Sequence, residues 1–382
     1  MTASTLLSAL ALARWLGPWG ESKVPTLVTR TTSIIDGPTP FRAHLYVHAR
    51  SAPIGAYLVV PGLHYLGPND PRFDRFCRIL AAARLLVFAP FLPEHAALRV
   101  SPRSTDDLAA AFEHLERIAR GLPPAALFSI SFGSQPAIAL AARAAYRDRI
   151  SALVLFGGFA DFGATVRYAI TGEAAHRGRT LRVAHDPLNA PVVWLNLLPH
   201  LEGRGDVALV ARAWRAFVEQ TWGRPAFKIG NARAKVADAL AAPLPRRERE
   251  LFLMGCGLRP GGLPIVEEAL AAAGDAFDFT DPRPHLRDLR APVALVHGRD
   301  DDVVPWFEAE KLRDALPEGH PHRLLVTGLY GHTGAASPTL GSLVHEAKTL
   351  LDVVRTLVEA PARGRSAFPS GKGGASRQGR CV

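Results

Sequence analysis

Apolar residues in this chain fall into short unbroken runs set between longer stretches with helical spacing. Ile54–Val60, Arg84–Ala89, Ala125–Ile130, Ser151–Phe156, Pro292–His297 and His322–Thr327 are runs of strand length, of the kind buried on both faces of a sheet. Thr26–Ile35 and Phe41–Val47 read as two further strands joined by a turn at Asp36-Gly37-Pro38. Phe73–Ala83, Thr105–Arg120, Gln135–Tyr146 and Leu340–Leu357 carry apolar residues at helical spacing. Ser104 or Thr105 is the expected N-cap of the second of these, with Asp106 and Asp107 in its first turn. Strands alternating with helices predict an α/β protein with a doubly wound, mostly parallel sheet.

The alternation breaks off between about Phe162 and Leu289. That interval has helical patterns at Val207–Glu219, Ala232–Ala241, Arg246–Met254 and Pro264–Ala273, and no series of buried strands. It reads as an all-helical cap inserted over a site, with an appendage or a dimer contact as the alternatives. The expected divisions are a helical segment at 1–23, a core at 24–161 and 290–360, the cap at 162–289, and a disordered basic tail at 361–382.

Composition narrows the function classes. Of 382 residues, 48% are hydrophobic and 21% charged, which is ordinary for a globular chain. The formal net charge of +10 could suggest nucleic acid, but half of it sits in the Gly/Ser-rich tail. Arg363, Arg365, Lys372, Arg377 and Arg380 lie there with no acid. No zinc-finger spacing or aromatic-basic RNA-binding signature accompanies the charge, so no nucleic-acid partner is expected. The three cysteines, Cys77, Cys256 and Cys381, are odd in number and widely spaced. They suit a reducing, cytoplasmic location rather than a disulfide framework. Leu6–Leu16 is apolar but short, and Arg14 interrupts it. It reads as a helix packed on the body; membrane contact at an interface is the alternative and is not the expectation. With no P-loop, no dinucleotide G-x-G-x-x-G and no H-E-x-x-H, neither a cofactor nor a metal is expected.

Ser129-Ile-Ser-Phe-Gly133 follows one apolar run and leads into an Ala-rich helical one. A serine flanked by small residues at a strand-to-helix turn is how a strained elbow lifts a hydroxyl above a parallel sheet. Two more polar segments follow strands in the same way: His297-Gly-Arg-Asp-Asp-Asp-Val-Val-Pro305 and Thr327-Gly-Leu-Tyr-Gly-His332. All three lie at carboxyl ends of strands, where open α/β sheets bind ligands, in the order Ser, Asp, His. Ser131 has Ser129 and Ser134 as rival hydroxyls, the first expected in the core and the second in a helix's first turn. Asp300 and Asp302 rival Asp301 and read as solvated turn residues, with a cap on the following turn as the alternative for Asp302. His297 reads as a structural strand-end residue.

Over roughly residues 24–165 and 288–360 the chain resembles the α/β-hydrolase superfamily, although Ser129 stands where G-x-S-x-G has its first glycine. The resemblance implies Ser131 as nucleophile and His332, in its Gly-His step, as base. It implies Asp301, in a Gly-x-x-Asp-x-x-Val-Pro turn, as acid, with Asp161 as the less favoured position. It also implies an oxyanion hole from the backbone N–H of Phe132 and of Leu63, in the turn Pro61-Gly62-Leu63. A serine at the elbow disfavours the dehalogenase and epoxide-hydrolase branches, which place aspartate there. His64, Tyr65, Phe91, Phe132, Trp306 and Tyr330 are the expected lining of the site mouth, suiting an apolar acyl or aryl substrate, with ordinary core packing as the alternative for the aromatics and a hydrogen-bonding role in the loop as the alternative for His64. The expected activity is hydrolysis of a small-molecule carboxylic ester. Acyl transfer, thioester hydrolysis and a non-catalytic ligand-binding member are the alternatives. The oligomeric state is left open.

Overall fold

The structure, a computed structural model, describes residues 3–16, 23–36, 39–201, 203–328 and 340–363, together with 366 and 368. The chain opens with α1 (Ala3–Leu16), β1 (Val28–Ile35), β2 (Phe41–His48), β3 (Gly55–Val60), α2 (Pro71–Ala82) and β4 (Leu85–Pro90). It continues through α3 (Pro93–Ala96), α4 (Arg103–Ile118), β5 (Ala126–Ile130), α5 (Ser134–Ala142) and β6 (Leu153–Phe156). An insertion follows, with α6 (Phe162–Thr171), β7 (Glu173–His176), β8 (Arg179–Arg182), α7 (Ala190–Leu197), α8 (Val207–Thr221) and α9 (Ala232–Ala241). After α10 (Arg246–Gly255), α11 (Gly262–Ala273) and α12 (Arg283–Leu286), the chain rejoins the sheet. It ends in β9 (Val293–Gly298), α13 (Phe307–Asp314), β10 (His322–Thr327) and α14 (Leu340–Arg363).

Eight strands form one sheet in the order β1-β2-β4-β3-β5-β6-β9-β10. β1 and β2 pair antiparallel with each other, as do β2 and β4, and the remaining pairs are parallel. β3, β4 and β9 are buried at every position, which is why their runs are apolar without alternation. Successive side chains point to opposite faces. Leu58, Val60 and Leu127 pack with Leu108 and Phe112 of α4 and Ile138 of α5. Tyr57, Val59 and Phe128 pack on the other face with Leu12 of α1, Phe73 of α2 and Val354 of α14. The parallel register sets Val60 beside Ser129, Ile130 beside Phe156, and Gly298 beside Thr327. The strand ends that carry the polar segments therefore share one edge of the sheet.

The insertion has its own core around Trp194, Trp214, Phe217 and Phe252, against which Leu63, Tyr65 and Phe162 pack. It is helical except for β7 and β8, an antiparallel hairpin the sequence reading did not contain. Its turn residues Arg177 and Gly178 both have positive φ, 50° and 75°, as a two-residue turn of the tight hairpin type requires. β8 is exposed throughout, so it carries no buried alternation to read.

The cap of α4 also differs from expectation. The helix starts at Arg103, and Ser104 and Thr105 lie buried inside its first turn. Asp70 does act as a cap, on α2, where its carboxylate accepts from the N–H groups of Arg72 and Phe73 at 2.9 and 3.2 Å. Cys77 and Cys256 are buried free thiols. Gly37 and Pro38 of the expected turn, Cys381 and most of the basic tail lie outside the described residues. Among the described residues no helix is long and apolar enough to cross a membrane.

Candidate active site

β5 stops at Ile130, α5 starts at Ser134, and a single 3-10 turn, Ser131–Gly133, joins them. Ser131 has φ 50°, in the left-handed region where a side chain costs about 1–3 kcal/mol. Gly133 shows why the slot two residues on must be small. A Cβ there would lie 2.6 Å from the carbonyl oxygen of Pro61 and 3.0 Å from that of Val60, both backbone atoms that cannot swing aside. The turn after β3 thus rests directly on the elbow. Of the three serines only Ser131 lines the cavity described below. Ser129 is fully buried in β5, and Ser134 is the buried first residue of α5.

Asp301 is 5% exposed. Its Oδ1 accepts from the N–H groups of Val303 and Val304 at 2.8 and 2.9 Å. Its Oδ2 faces Gly157, where a Cβ would lie 3.4 Å from that oxygen and 3.9 Å from the Ser131 nitrogen. The carboxylate and the elbow therefore meet across a residue with no side chain. His297 is buried, and its Nε2 bonds the carbonyl of Val304 at 2.9 Å, which holds the acid turn against its strand. Asp300 is exposed. Asp161 is the N-cap of α6, accepting from the Ala164 N–H at 2.9 Å, and does not line the cavity.

Asp302 is not the solvated turn residue expected. It is buried, and its Oδ2 lies 2.8 Å from Lys228 Nζ, which is also 2.8 Å from Asp186 Oδ2. Burial works to lower the Lys228 pKa, but bonds to Asp186 and Asp302 outweigh it and the value is raised. The N–H of Asp186 also donates to the Asp302 carbonyl at 2.7 Å. The insertion is thus tied by charge and backbone to the turn that carries Asp301. Sequence separation hid this link, because Lys228 stands 74 positions from its partner.

His332 and Tyr330 lie outside the described residues. The strand leading to them ends under a clamp from α14. Glu346 Oε2 accepts from Thr327 Oγ1 at 2.7 Å and from the Gly328 N–H at 3.0 Å.

A cavity of about 680 Å³ opens at Ser131 between the sheet edge and the insertion. Leu63, His64 and Phe132, all at the two turns, line it. His64 accepts from the Leu66 N–H at 3.2 Å and approaches Asp70 Oδ2 at 3.3 Å. Burial lowers its pKa, against the opposing pull of Asp70.

Three expected lining residues are elsewhere. Tyr65 stacks on His64 and sends its hydroxyl to the Glu219 carbonyl, within the insertion's core. Phe91 packs on His44 beneath Arg42, toward the antiparallel edge of the sheet. Trp306 packs on His176 and Phe307. Each is an aromatic next to a strand end in sequence whose segment turns away in space. The apolar walls come instead from the strands and the insertion, with Phe128, Phe156, Phe159, Phe162 and Trp222.

His95 is a site residue the sequence reading passed over. It stands on α3, the short helix that follows β4, rather than directly at the strand end where Ser131 stands. It is 1% exposed, and its Nδ1–H donates to the Pro61 carbonyl at 3.0 Å, bracing the turn that rests on the elbow. Burial lowers its pKa from 6.5 to about 4, although its bonds with Pro61 and Gly62 oppose this. The unfolded chain therefore takes up a proton that the folded chain refuses. Stability supplied by neutral His95 is complete above about pH 6.5 and lost as pH falls toward 4, by about 3 kcal/mol in total. Urea melts at pH 7 and pH 4.5 should show wild type losing more stability over that interval than His95→Gln. Equal losses would mean the ring is hydrated and titrates normally.

No curated protein sequence matches the chain. Solved structures similar to it include brefeldin A esterase, a bacterial homologue of human hormone-sensitive lipase (16% identity, 96% of this chain and 88% of that one, TM-score 0.47). They also include a Mycobacterium tuberculosis puromycin-hydrolysing peptidase (14%, 90% of this chain, TM-score 0.48), of which this chain spans 41%. An esterase from Rhizomucor miehei is similar at 13% identity over 94% of this chain and 92% of its own, with a TM-score of 0.46. A family model described as the alpha/beta hydrolase fold matches residues 68–335, more than half of the chain. With that match and an eight-stranded, mostly parallel sheet bearing a strained serine elbow, the chain belongs to the α/β-hydrolase family.

Proposed function

We propose that the protein is a cytoplasmic serine hydrolase of carboxylic esters, acting through an acyl-enzyme at Ser131. The observation that carries this reading is the elbow: a serine held at φ 50° on the wall of a largely apolar cavity, with a buried carboxylate one residue's width away at Gly157. A hydroxyl is a weak nucleophile near neutral pH and needs a base in reach. His332 takes the Ser131 proton as Oγ bonds to the ester carbonyl carbon, then gives it to the departing alcohol as the C–O bond breaks. Water repeats the sequence on the acyl-enzyme, releasing the acid and restoring the serine. Asp301 accepts from the imidazole and stabilises its charged form. The N–H groups of Phe132 and Leu63 are assigned to the oxyanion, where one donor is worth about 10²–10³ in rate. The apolar walls favour an acyl or aryl ester. Acyl transfer shares the first half of this scheme and would differ only in the acceptor admitted.

A fluorophosphonate probe, followed by peptide mapping, tests the reading. One adduct per chain on Ser131 is expected, together with turnover of p-nitrophenyl esters that varies with acyl length. Folded protein that takes up no probe would overturn the enzyme reading in favour of a ligand-binding member.

A further inference from the structure

The cavity at Ser131 does not end beneath the insertion. A second lobe runs down one face of the sheet, lined by Phe128 and Ile130 of β5, Val154 and Phe156 of β6, and Val296 of β9. These are neighbours in register: Phe128 stands beside Val154, Ile130 beside Phe156, and Phe156 beside Val296. Side chains alternate along a strand, so all five point to the face covered by α1, α2 and α14. The residues between them, Leu127, Leu155 and Leu295, are buried on the other face and do not reach the cavity. Leu16 of α1, Phe76 of α2, and Val353 and Leu357 of α14 form the opposite wall. Ile130, Phe156, Phe76 and Leu16 are only half-buried, although they lie between the sheet and the helices that cover it. Packing is incomplete where a core is normally close-packed, and the walls of such a space forgo apolar contacts that an occupant would restore.

We infer that this lobe holds the acyl chain of the substrate, a linear saturated chain of about eight to ten carbons. Polar groups that touch the lobe are already engaged. Thr356 donates to the Asp352 carbonyl at 2.7 Å and accepts from Arg323 at 3.2 Å. Arg72 bonds the Asp70 carboxylate, and Arg75 bonds the carbonyls of Lys23 and Trp15. An occupant of the lobe therefore gains through apolar contact. The insertion side of the cavity differs, with Asp186, Asn189 and Lys228 on its wall. Depth sets the chain length. Phe128 precedes Ser131 by about three residues of extended backbone, which is about 10 Å and nine bonds. The wall beyond is held in place, since the Tyr57 hydroxyl donates to the Leu357 carbonyl at 3.0 Å. The acyl half of an ester stays on Ser131 when the alcohol departs, so it is the half that an interior lobe suits. The acyl assignment rests on the proposed reaction at Ser131, whereas the lobe itself does not.

Initial rates of the full chain on p-nitrophenyl esters from acetate to palmitate test it. kcat/KM should rise by about fourfold per added methylene up to decanoate and level off beyond it. Acetate esters of lengthening alcohols should show no such rise. Val353→Phe and, separately, Leu357→Phe put a ring into the lobe, and each should lower the decanoate-to-acetate ratio of kcat/KM by about tenfold or more. Phe156→Ala enlarges the lobe without overpacking it and should carry the rise on past decanoate. Calorimetry supplies a reading that needs no turnover. Decanoic acid should bind Ser131→Ala, and adding Val353→Phe should weaken that binding by about tenfold or more. Esters turned over with a flat or falling acyl-length profile would overturn the inference and leave the hydrolase reading standing. So would a folded ring variant that keeps the wild-type ratio, or a rise that follows the alcohol instead. Decanoic acid bound by a chain that turns over no ester and takes no probe would overturn the acyl assignment together with the hydrolase reading, and leave the lobe as a fatty-acid site.

Discussion

Ser131→Ala should lower ester turnover by about 10⁶, to the level that binding and backbone donors alone can sustain. Probe labelling should vanish with it. Ser129→Ala and Ser134→Ala remove buried hydroxyls that do not reach the cavity, and should leave both labelling and turnover near wild type. A sharper expectation concerns stability. At φ 50° alanine meets the same backbone strain as serine, so Ser131→Ala should melt close to wild type. Ser131→Gly has no Cβ to strain and should be more stable by about 1 kcal/mol, while being equally inactive. A variant that gains stability as it loses all chemistry is the signature of a strained nucleophile. A non-catalytic serine at this φ would show the gain in stability without the loss of turnover, so rate assays beside thermal melts on the two variants separate the cases.

The parts of this molecule that could be read from sequence are those fixed by local pattern. β3 and β9 are legible because strands covered on both faces must be apolar along their whole length. The elbow is legible because Gly133 has no room for a side chain against Pro61, so the slot shows in the sequence as a small residue. The place of Asp301 is legible from its distance to Pro305, since its Oδ1 is consumed by the two N–H groups that shape that turn. Long-range charge was not legible. In sequence Asp302 has the pattern of a polar turn residue, and its partner Lys228 stands far off in the insertion. Aromatic lining was misread for a related reason. Phe91 and Trp306 lie near strand ends in the chain, but which way a loop turns depends on contacts with elements far away in sequence.

Asp301→Asn is the substitution that divides the acid's role in holding the turn from its role in chemistry. The amide keeps an oxygen in the Oδ1 position, able to accept from the N–H groups of Val303 and Val304, so the turn and the fold should survive. On the other side an NH₂ replaces the acceptor that faces Gly157 and the elbow. An imidazole there would meet a donor, turn over to its other tautomer, and present N–H rather than a lone pair to Ser131. Turnover should therefore drop by about 10⁴ while KM and the melting temperature stay near wild type. Two controls fix the assignment. Asp161→Asn retains a side chain that caps α6 as well as aspartate does, and should be active. Asp302→Asn removes one of the two carboxylates on Lys228, and so should weaken the seating of the insertion while leaving the chemical step intact. Loss of turnover in Asp161→Asn with near-normal Asp301→Asn would move the acid to the end of β6. The geometry argues against that outcome, because Asp301 Oδ2 lies across Gly157 from the backbone of Ser131, whereas Asp161 sits at the N-terminus of α6 with one oxygen on the Ala164 N–H.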